Sequence, residues 1–367
     1  MVRHLRRERV DTPGGVDFWI TRRPLLAPPP LRDLDPPRML RTVVSTAAIV
    51  ASFTAAAFTA AAAATTDPRA MVPTPVAAVP FDSGHVDVGD GIQLYYHILG
   101  GTHRDTIVFV HGGPGLSSSY LQKDLDFLAA RHTVVLYDQR GSGRSTLIND
   151  STKMSVALHV ADLDALLRRF RIAHANLYGH SWGAGLVANY VAAHATTVRK
   201  AILGSAIPPR REPYMTQFGT NLNAWMDSTT RKHLSDLSRA RRNAADPVGA
   251  CRAYWSVFIR GYFADTSTLA SMKSDICNDP PASLANRVNA WTLGPLGAWD
   301  WRTLLAHTSV PIAVVHGSGD PIPLDAAKEW AASIPGSRLI VLEGAGHFPA
   351  VERPKAMLEA IESFFFE

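Results

Sequence analysis

The segment Gly179-His180-Ser181-Trp182-Gly183 has the residue types and spacing of an activated nucleophile. An apolar run ends just before it and an Ala-rich run from Ala184 to Ala193 follows it, which predicts a strand, a sharp turn and a helix. A turn this tight needs a glycine on each side of the serine, because larger side chains would collide there. We therefore predict that the Ser181 hydroxyl stands above a sheet, where it can attack a carbonyl group.

A serine hydroxyl needs a general base, and that base needs a carboxylate to orient it. Asp320 follows the apolar run Pro311–His316, and His347 follows the run Arg338–Leu342. The chain order serine, acid, histidine is the order expected when the serine lies on a strand-to-helix turn. We predict Ser181 as the nucleophile, His347 as the general base and acid, and Asp320 as the residue that orients His347.

Asp138 is the rival acid, because it also follows an apolar run, Thr133–Tyr137. We expect Asp138 to hold its own loop together through Arg140 or Arg144. Three other histidines at strand ends are expected to pack or to hydrogen-bond locally: His111, His180 and His316.

An oxyanion needs two backbone donors that point at the developing charge. The N–H of Trp182, directly after the nucleophile, is the first candidate. The glycine-rich turn His111-Gly112-Gly113-Pro114-Gly115 should supply the second, and we predict Gly113.

The surrounding elements predict an α/β fold, with a mostly parallel sheet wound on both faces. A hairpin is predicted across the turn Gly89-Asp90-Gly91, and buried strands alternate with helices after it. We assign residues 80–205 and 306–367 to a catalytic domain, and residues 206–305 to an inserted helical lid. Helical stretches of the lid are predicted at Leu222–Leu237 and Arg252–Phe263.

The two cysteines, Cys251 and Cys277, both fall in the lid. A disulfide and a pair of buried thiols are equally compatible with this sequence. Neither cysteine has metal-ligand spacing to a second cysteine or a histidine, so we predict no zinc site. We also expect no cofactor, because no glycine-rich run has the spacing of a nucleotide loop.

The N-terminal residues need separate treatment. Residues 1–38 are rich in arginine and proline, and we interpret them as a disordered or spurious extension. Residues 39–66 have the pattern of a signal peptide, which predicts a secreted or cell-envelope protein. The uncharged stretch 43–64 is long enough to span a bilayer, so an N-terminal anchor is the alternative, and only then would a membrane be a partner.

The net charge of +5 also comes mainly from this region. Residues 1–41 hold nine arginines and five acidic residues, and so contribute +4 of it. The remainder is close to neutral, and we therefore expect no nucleic-acid partner. The sequence leaves the oligomeric state open.

Together, the motifs HGGPG, DQRGSGRS and GHSWG resemble those of the proline iminopeptidase family of α/β-hydrolases, over roughly Pro80 to Glu367. The resemblance implies an α/β-hydrolase fold and the same triad and oxyanion residues. It also implies a small peptide substrate whose free amine is gripped by lid carboxylates. The lid acids that could take this role are Asp265 and Glu212, followed by Asp275 and Asp279.

We therefore expect a serine hydrolase that forms an acyl-enzyme, with an aminopeptidase that releases an N-terminal residue as the leading hypothesis. A carboxylesterase or lipase-like enzyme is the alternative, in which Trp225, Trp255 and Trp291 would be walls of an apolar acyl pocket. A binding protein without catalysis ranks third, since a binder has no need of all three catalytic groups.

Overall fold

The computed structural model describes residues 7–10, 18–21, 81–101, 105–277 and 282–367. The chain divides into two units, Met1–Pro75 and Val76–Glu367. In the first unit, β1 (Arg7–Val10) pairs antiparallel with β2 (Phe18–Thr21), where the sequence predicts no regular structure. Phe18-Trp19-Ile20-Thr21 is made of residue types that favour strands, which accounts for the pairing. The predicted signal peptide, residues 39–66, lies outside the described residues.

The second unit is built on an eight-stranded sheet. Its strands are β3 (Phe81–Asp87), β4 (Gln93–Leu99), β5 (Thr106–Val110), β6 (Thr133–Tyr137), β7 (Ala175–His180), β8 (Val198–Gly204), β9 (Ile312–Gly317) and β10 (Arg338–Leu342). They lie in the order β10-β9-β8-β7-β5-β6-β4-β3. The pairings of β4 with β3 and β6 are antiparallel, and the other pairings are parallel.

The helices that accompany this sheet are α1 (Ser119–Gln122), α2 (Asp126–Ala129), α3 (Val156–Arg169), α4 (Trp182–His194), α9 (Leu324–Ser333), α10 (Pro349–Glu352) and α11 (Pro354–Phe365). Side chains of β5 alternate between two hydrophobic cores. Val108 and Val110 pack in one core, with α3, α4 and α9, whereas Ile107 and Phe109 pack in the other, with α2 and α11. The sheet is thus covered on both faces, which is why its central strands are apolar on both sides.

In the described part of the chain between β8 and β9, four α-helices occur: α5 (Tyr214–Asn223), α6 (Ser228–Ala240), α7 (Pro247–Phe258) and α8 (Ala282–Leu293). The prediction of one helix over Leu222–Leu237 is wrong, because the chain leaves α5 at Asn223 and starts α6 at Ser228. Asp227 causes the new start, since its side chain accepts a hydrogen bond from the N–H of Thr230. The predicted helix Arg252–Phe263 begins earlier, at Pro247, and continues after Phe258 as a 3₁₀ turn, Ile259–Tyr262.

Among the residues that the structure describes, no helix is both long and apolar enough to cross a membrane.

Candidate active site

Ser181 lies between β7 and α4 with φ of 57° and ψ of −120°. A positive φ of this kind is rare for residues with a side chain and is typical of functional sites. The neighbouring contacts hold it in place: the Ser181 N–H donates to the Gly204 carbonyl (2.9 Å), and its own carbonyl accepts from the N–H of Ile207 (3.0 Å). A Cβ on Gly183 would lie 2.1 Å from the Val110 carbonyl oxygen, so only glycine fits that side of the turn.

His347 and Asp320 form a buried pair. The Nδ1 atom of His347 is 3.0 Å from Oδ1 and 2.9 Å from Oδ2 of Asp320. In the neutral imidazole, Nδ1–H then donates to the carboxylate, and Nε2 is left to accept a proton. Asp320 follows β9 and His347 follows β10, so both come from loops at the edge of the sheet where Ser181 lies.

The charge of Asp320 is stabilised in spite of its burial. Burial alone raises the pKa of this carboxyl, but interactions with His347 and His316 and the hydrogen bond from the Ile322 N–H outweigh it. The resulting pKa is about 2. Asp320 is therefore ionised at neutral pH and can orient His347 and stabilise its protonated form.

The His347 loop is joined to the Ser181 turn through His180. The Nε2–H of His180 donates to the backbone carbonyl of His347 over 2.8 Å, and the two rings are 4.9 Å apart. Since His180 directly precedes Ser181, this bond connects the His347 loop to the turn that carries Ser181. The three residues predicted as a triad are thus brought to one place, and their catalytic roles stay a proposal.

The predicted oxyanion loop also touches Ser181. A Cβ on Gly112 would lie 2.9 Å from the Ser181 Cβ, so the Gly112–Gly113 backbone runs against the nucleophile. Gly113 has φ of 122°, a conformation that favours glycine. Trp182 is the first residue of α4, and its N–H has no partner within the helix. The two residues predicted to supply the donors therefore lie beside the Ser181 turn.

A buried polar chain that the sequence analysis did not predict links this loop to the base. The Gly112 N–H donates to the Tyr120 hydroxyl (2.7 Å), which in turn donates to Nδ1 of His180 (2.7 Å). Burial lowers the pKa of His180 to about 3 and raises that of Tyr120, so both are neutral. His180 was expected to bond locally, but its partners are 60 and 167 residues away. No local sequence signal could have identified Tyr120.

His111 and His316 do make local bonds. Nδ1–H of His111 donates to the Gly112 carbonyl (2.7 Å), and Nε2–H of His316 donates to the Ile322 carbonyl (2.9 Å). Nε2 of His111 accepts from the N–H of Gln139, whose side chain also binds the Trp182 indole N–H (2.9 Å). Gln139 therefore connects the glycine-rich turn 111–115 to the start of α4.

Asp138 stabilises its loop, as expected, and its partners there include two backbone N–H groups. It accepts from the N–H and the hydroxyl of Ser118 (both 2.7 Å) and from the N–H of Arg144 (2.9 Å). The Arg140 side chain makes two bonds of 2.6 Å to Asp162, and both partners are buried.

The lid acids proposed to bind an amine make other contacts. Asp265 is exposed and accepts from the N–H and hydroxyl of Ser267, where it caps a 3₁₀ turn. Glu212 is exposed and accepts from the Thr216 hydroxyl (2.7 Å). Asp275 is bound by the Arg252 guanidinium at 2.9 and 2.7 Å. The fourth candidate, Asp279, lies outside the described residues.

An aromatic cluster of the lid contacts His347 through Tyr262. The Tyr262 ring is 5.2 Å from the His347 ring, and Trp255 and Phe258 pack on Tyr262 at 6.3 and 5.8 Å. Trp225 is exposed and lines an open cleft of about 680 Å³ beside the Asp320 loop. Trp291 is partly buried, under the guanidinium of Arg287.

Cys251 of α7 and Cys277 form a disulfide. No group of three or more histidine, cysteine, aspartate or glutamate side chains within the described ranges could hold a metal ion.

Comparison with known proteins identifies one family model, described as "alpha/beta hydrolase fold", which matches residues 105–354. A proline iminopeptidase of Heyndrickxia coagulans is 25% identical over 292 residues, which cover 77% of this chain and 98% of the relative. A bifunctional esterase/perhydrolase of Acinetobacter calcoaceticus is 28% identical over 283 residues, covering 72% of this chain and 92% of the relative.

The fold is also shared with the crystal structure of the proline iminopeptidase of Mycobacterium smegmatis. That structure has a TM-score of 0.56 and 20% sequence identity to this chain, covering 77% of this chain and 97% of the other. The sequence relatives thus include both peptidase and esterase names at similar identity.

Proposed function

Because the chain belongs to the alpha/beta hydrolase fold family, we propose that it is a serine hydrolase that cleaves an ester or amide through an acyl-enzyme. One observation carries this proposal: Ser181 is held at positive φ in a tight turn beside the Gly112–Gly113 backbone, and His180 of the same turn bonds to the His347 backbone of the His347–Asp320 pair.

In the proposed reaction, Ser181 Oγ attacks the substrate carbonyl carbon while Nε2 of His347 takes the hydroxyl proton. The N–H groups of Gly113 and Trp182 stabilise the negative charge on the carbonyl oxygen. His347 then gives its proton to the departing alcohol or amine. Water, deprotonated by His347, attacks the acyl-enzyme and releases the acid and free Ser181.

The lid favours ester substrates with an apolar acyl group over peptides with a free N-terminus. A substrate ammonium group closed off from water needs a carboxylate partner. The described candidates Asp265, Glu212 and Asp275 are each bound to another group, whereas the wall beside His347 is aromatic. We therefore place the carboxylesterase first, which reverses the order that the sequence suggests.

The aminopeptidase remains the second candidate. It is supported by the similarity to the proline iminopeptidase of Heyndrickxia coagulans, because the match covers 98% of that relative. A lid acid at Asp279 would be the group to test, since the other three candidates are engaged.

The two activities separate in one paired assay. We expect hydrolysis of p-nitrophenyl butyrate by the wild type, loss of turnover in Ser181→Ala, and little hydrolysis of proline p-nitroanilide. Faster turnover of the anilide, with a preference for free over N-acetylated substrates that Asp279→Asn removes, would make the aminopeptidase the better assignment. If neither the wild type nor Ser181→Ala hydrolyses either substrate or is labelled by a fluorophosphonate, a binding protein without catalysis would be the better assignment.

A further inference from the structure

Glu352 is a buried carboxylate that the proposed reaction does not use. It ends α10, five residues after His347, and is only 4% exposed. Three backbone N–H groups converge on it: Gly346 donates to Oε2 over 2.6 Å, and Ala264 and Asp265 donate to Oε1 over 2.8 and 3.2 Å. Charge-assisted bonds of this kind are stronger than bonds between neutral groups.

These donors belong to two different parts of the protein. Gly346 directly precedes His347 in the loop after β10. Ala264 and Asp265 belong to the lid, just after the 3₁₀ turn that ends at Tyr262. Glu352 therefore joins the loop that carries the base to the lid segment that covers it.

The same two segments also contact each other directly. The His347 N–H donates to the Tyr262 carbonyl over 2.7 Å, and the two rings are 5.2 Å apart. A Cβ on Gly346 would lie 2.5 Å from the Tyr262 carbonyl oxygen and 2.6 Å from the Ala264 nitrogen. The two segments are packed too closely to shift independently. The hydrogen bonds that Glu352 accepts connect the His347 loop to the lid segment.

We propose that Glu352 is a positioning residue for the catalytic base: it holds the His347 loop and lid residues 262–265 in one fixed arrangement, so that His347 meets both Ser181 and Asp320. This inference rests on the proposed serine hydrolase function. It makes the lid segment part of the support of the base, in addition to its role as a wall of the substrate site.

The test is Glu352→Gln, which keeps the shape of the side chain but removes its charge. The glutamine side chain has one acceptor oxygen, and an NH₂ donor replaces the other oxygen. Either the Gly346 N–H or the N–H groups of Ala264 and Asp265 would then point at this NH₂ group and lose their acceptor. We expect kcat for p-nitrophenyl butyrate to fall by about tenfold to a hundredfold, because a small misplacement of a catalytic group has that effect. KM should change less than kcat, and the acid limb of the kcat/KM profile should shift, since the contact of His347 with Asp320 changes.

Glu362→Gln is the matched control. Glu362 is a partly buried carboxylate of α11 that binds Arg131 (3.1 Å) and His132 (3.2 Å), neither of which belongs to the site. We expect this variant to lower Tm without changing kcat or the pH profile. Glu352→Asp keeps the charge and should recover part of kcat.

The proposal is overturned if Glu352→Gln lowers only Tm, as Glu362→Gln should, or raises only KM. If Glu352→Gln does not fold, the same test is made with Glu352→Asp, whose kcat, pH profile and Tm are compared with those of Glu362→Gln. Failure of the proposed function is distinguishable, because the wild type itself would then show no turnover and no fluorophosphonate labelling.

Discussion

At the scale of single residues, two aspartates that follow different strands of the same sheet have different partners and different roles. Asp320 follows β9 and binds the His347 ring, whereas Asp138 follows β6 and binds the N–H groups of Ser118 and Arg144. Both are buried carboxylates after apolar strands, and only their partners distinguish them.

Asparagine substitutions should separate these roles. Asp320→Asn should lower kcat by orders of magnitude with little loss of stability, because the amide can hold His347 in the wrong tautomer. Asp138→Asn should lower the free energy of unfolding by about 1–3 kcal/mol, since it leaves buried donors poorly paired. Steady-state kinetics measure kcat, and urea unfolding measures the free energy of unfolding, for both variants. A crippled but stable Asp138→Asn, with a mild Asp320→Asn, would contradict our choice of acid.

His159 of α3 should make the fold sensitive to mild acid. Burial lowers its pKa to about 3, whereas an unfolded histidine titrates near 6.5. Between these values only the unfolded chain takes up the proton, so stability is lost as the pH falls from 6.5 towards 3, by about 2 kcal/mol at pH 5. His159→Leu should therefore lose less stability between pH 7.5 and pH 5 than the wild type. If the urea midpoint falls equally in the two proteins between pH 7.5 and pH 5, His159 is not the cause of the acid sensitivity.

At the scale of elements, glycines show where one backbone must pass another. Gly183 lies in the first turn of α4, where a Cβ would meet the Val110 and His111 carbonyl oxygens at 2.1 and 2.6 Å. Gly219 lies in α5, where a Cβ would meet nothing within 4 Å. Glycine is therefore required by close packing at position 183, whereas a larger residue would fit at position 219.

Alanine substitutions should reveal this difference. Gly183→Ala should push α4 away from β5, lowering stability by about 1–3 kcal/mol and abolishing most turnover. Gly219→Ala should leave turnover unchanged and raise stability by about 0.5–1 kcal/mol, because alanine is the better helix former. Thermal unfolding and esterase assays on the pair test both statements. Full activity in Gly183→Ala would show that the turn is more adaptable than we infer.

At the scale of the whole molecule, the disulfide lies entirely within the lid. Cys251 and Cys277 are 26 residues apart in sequence, and removing a cross-link over such a loop costs about 3–4 kcal/mol in the chain-entropy model. The variant with Cys251→Ser and Cys277→Ser together should therefore be cleaved faster by protease in the lid than the wild type. Equal cleavage rates in the two proteins would mean that lid packing alone is sufficient.

We also propose that the protein is exported, because residues 39–66 have the pattern of a signal peptide. A disulfide is compatible with this, since such bonds persist in oxidising compartments. N-terminal sequencing of protein from culture medium should place the mature start between Ala64 and Asp67. Recovery of the intact chain from membranes would favour an anchor at residues 43–64.

The sequence by itself determined those features that depend on near neighbours in the chain. The alternation of apolar runs predicted most strands of the sheet, and β6 and β10 have the predicted bounds. The turn at Ser181 was predictable because its glycines, strand and helix are contiguous. Asp320 and His347 could be proposed because each directly follows a predicted strand.

Only the tertiary structure decided the features that depend on distant segments. The Tyr120–His180 bond and the bonds that Glu352 accepts from Ala264 and Asp265 join residues separated by 60 to 88 positions, and no local pattern records such contacts. The lid acids illustrate the same limit. A carboxylate in a sequence can bind an amine, cap a turn or pair with an arginine, and the choice depends on which donors the folded chain brings within about 3 Å of it.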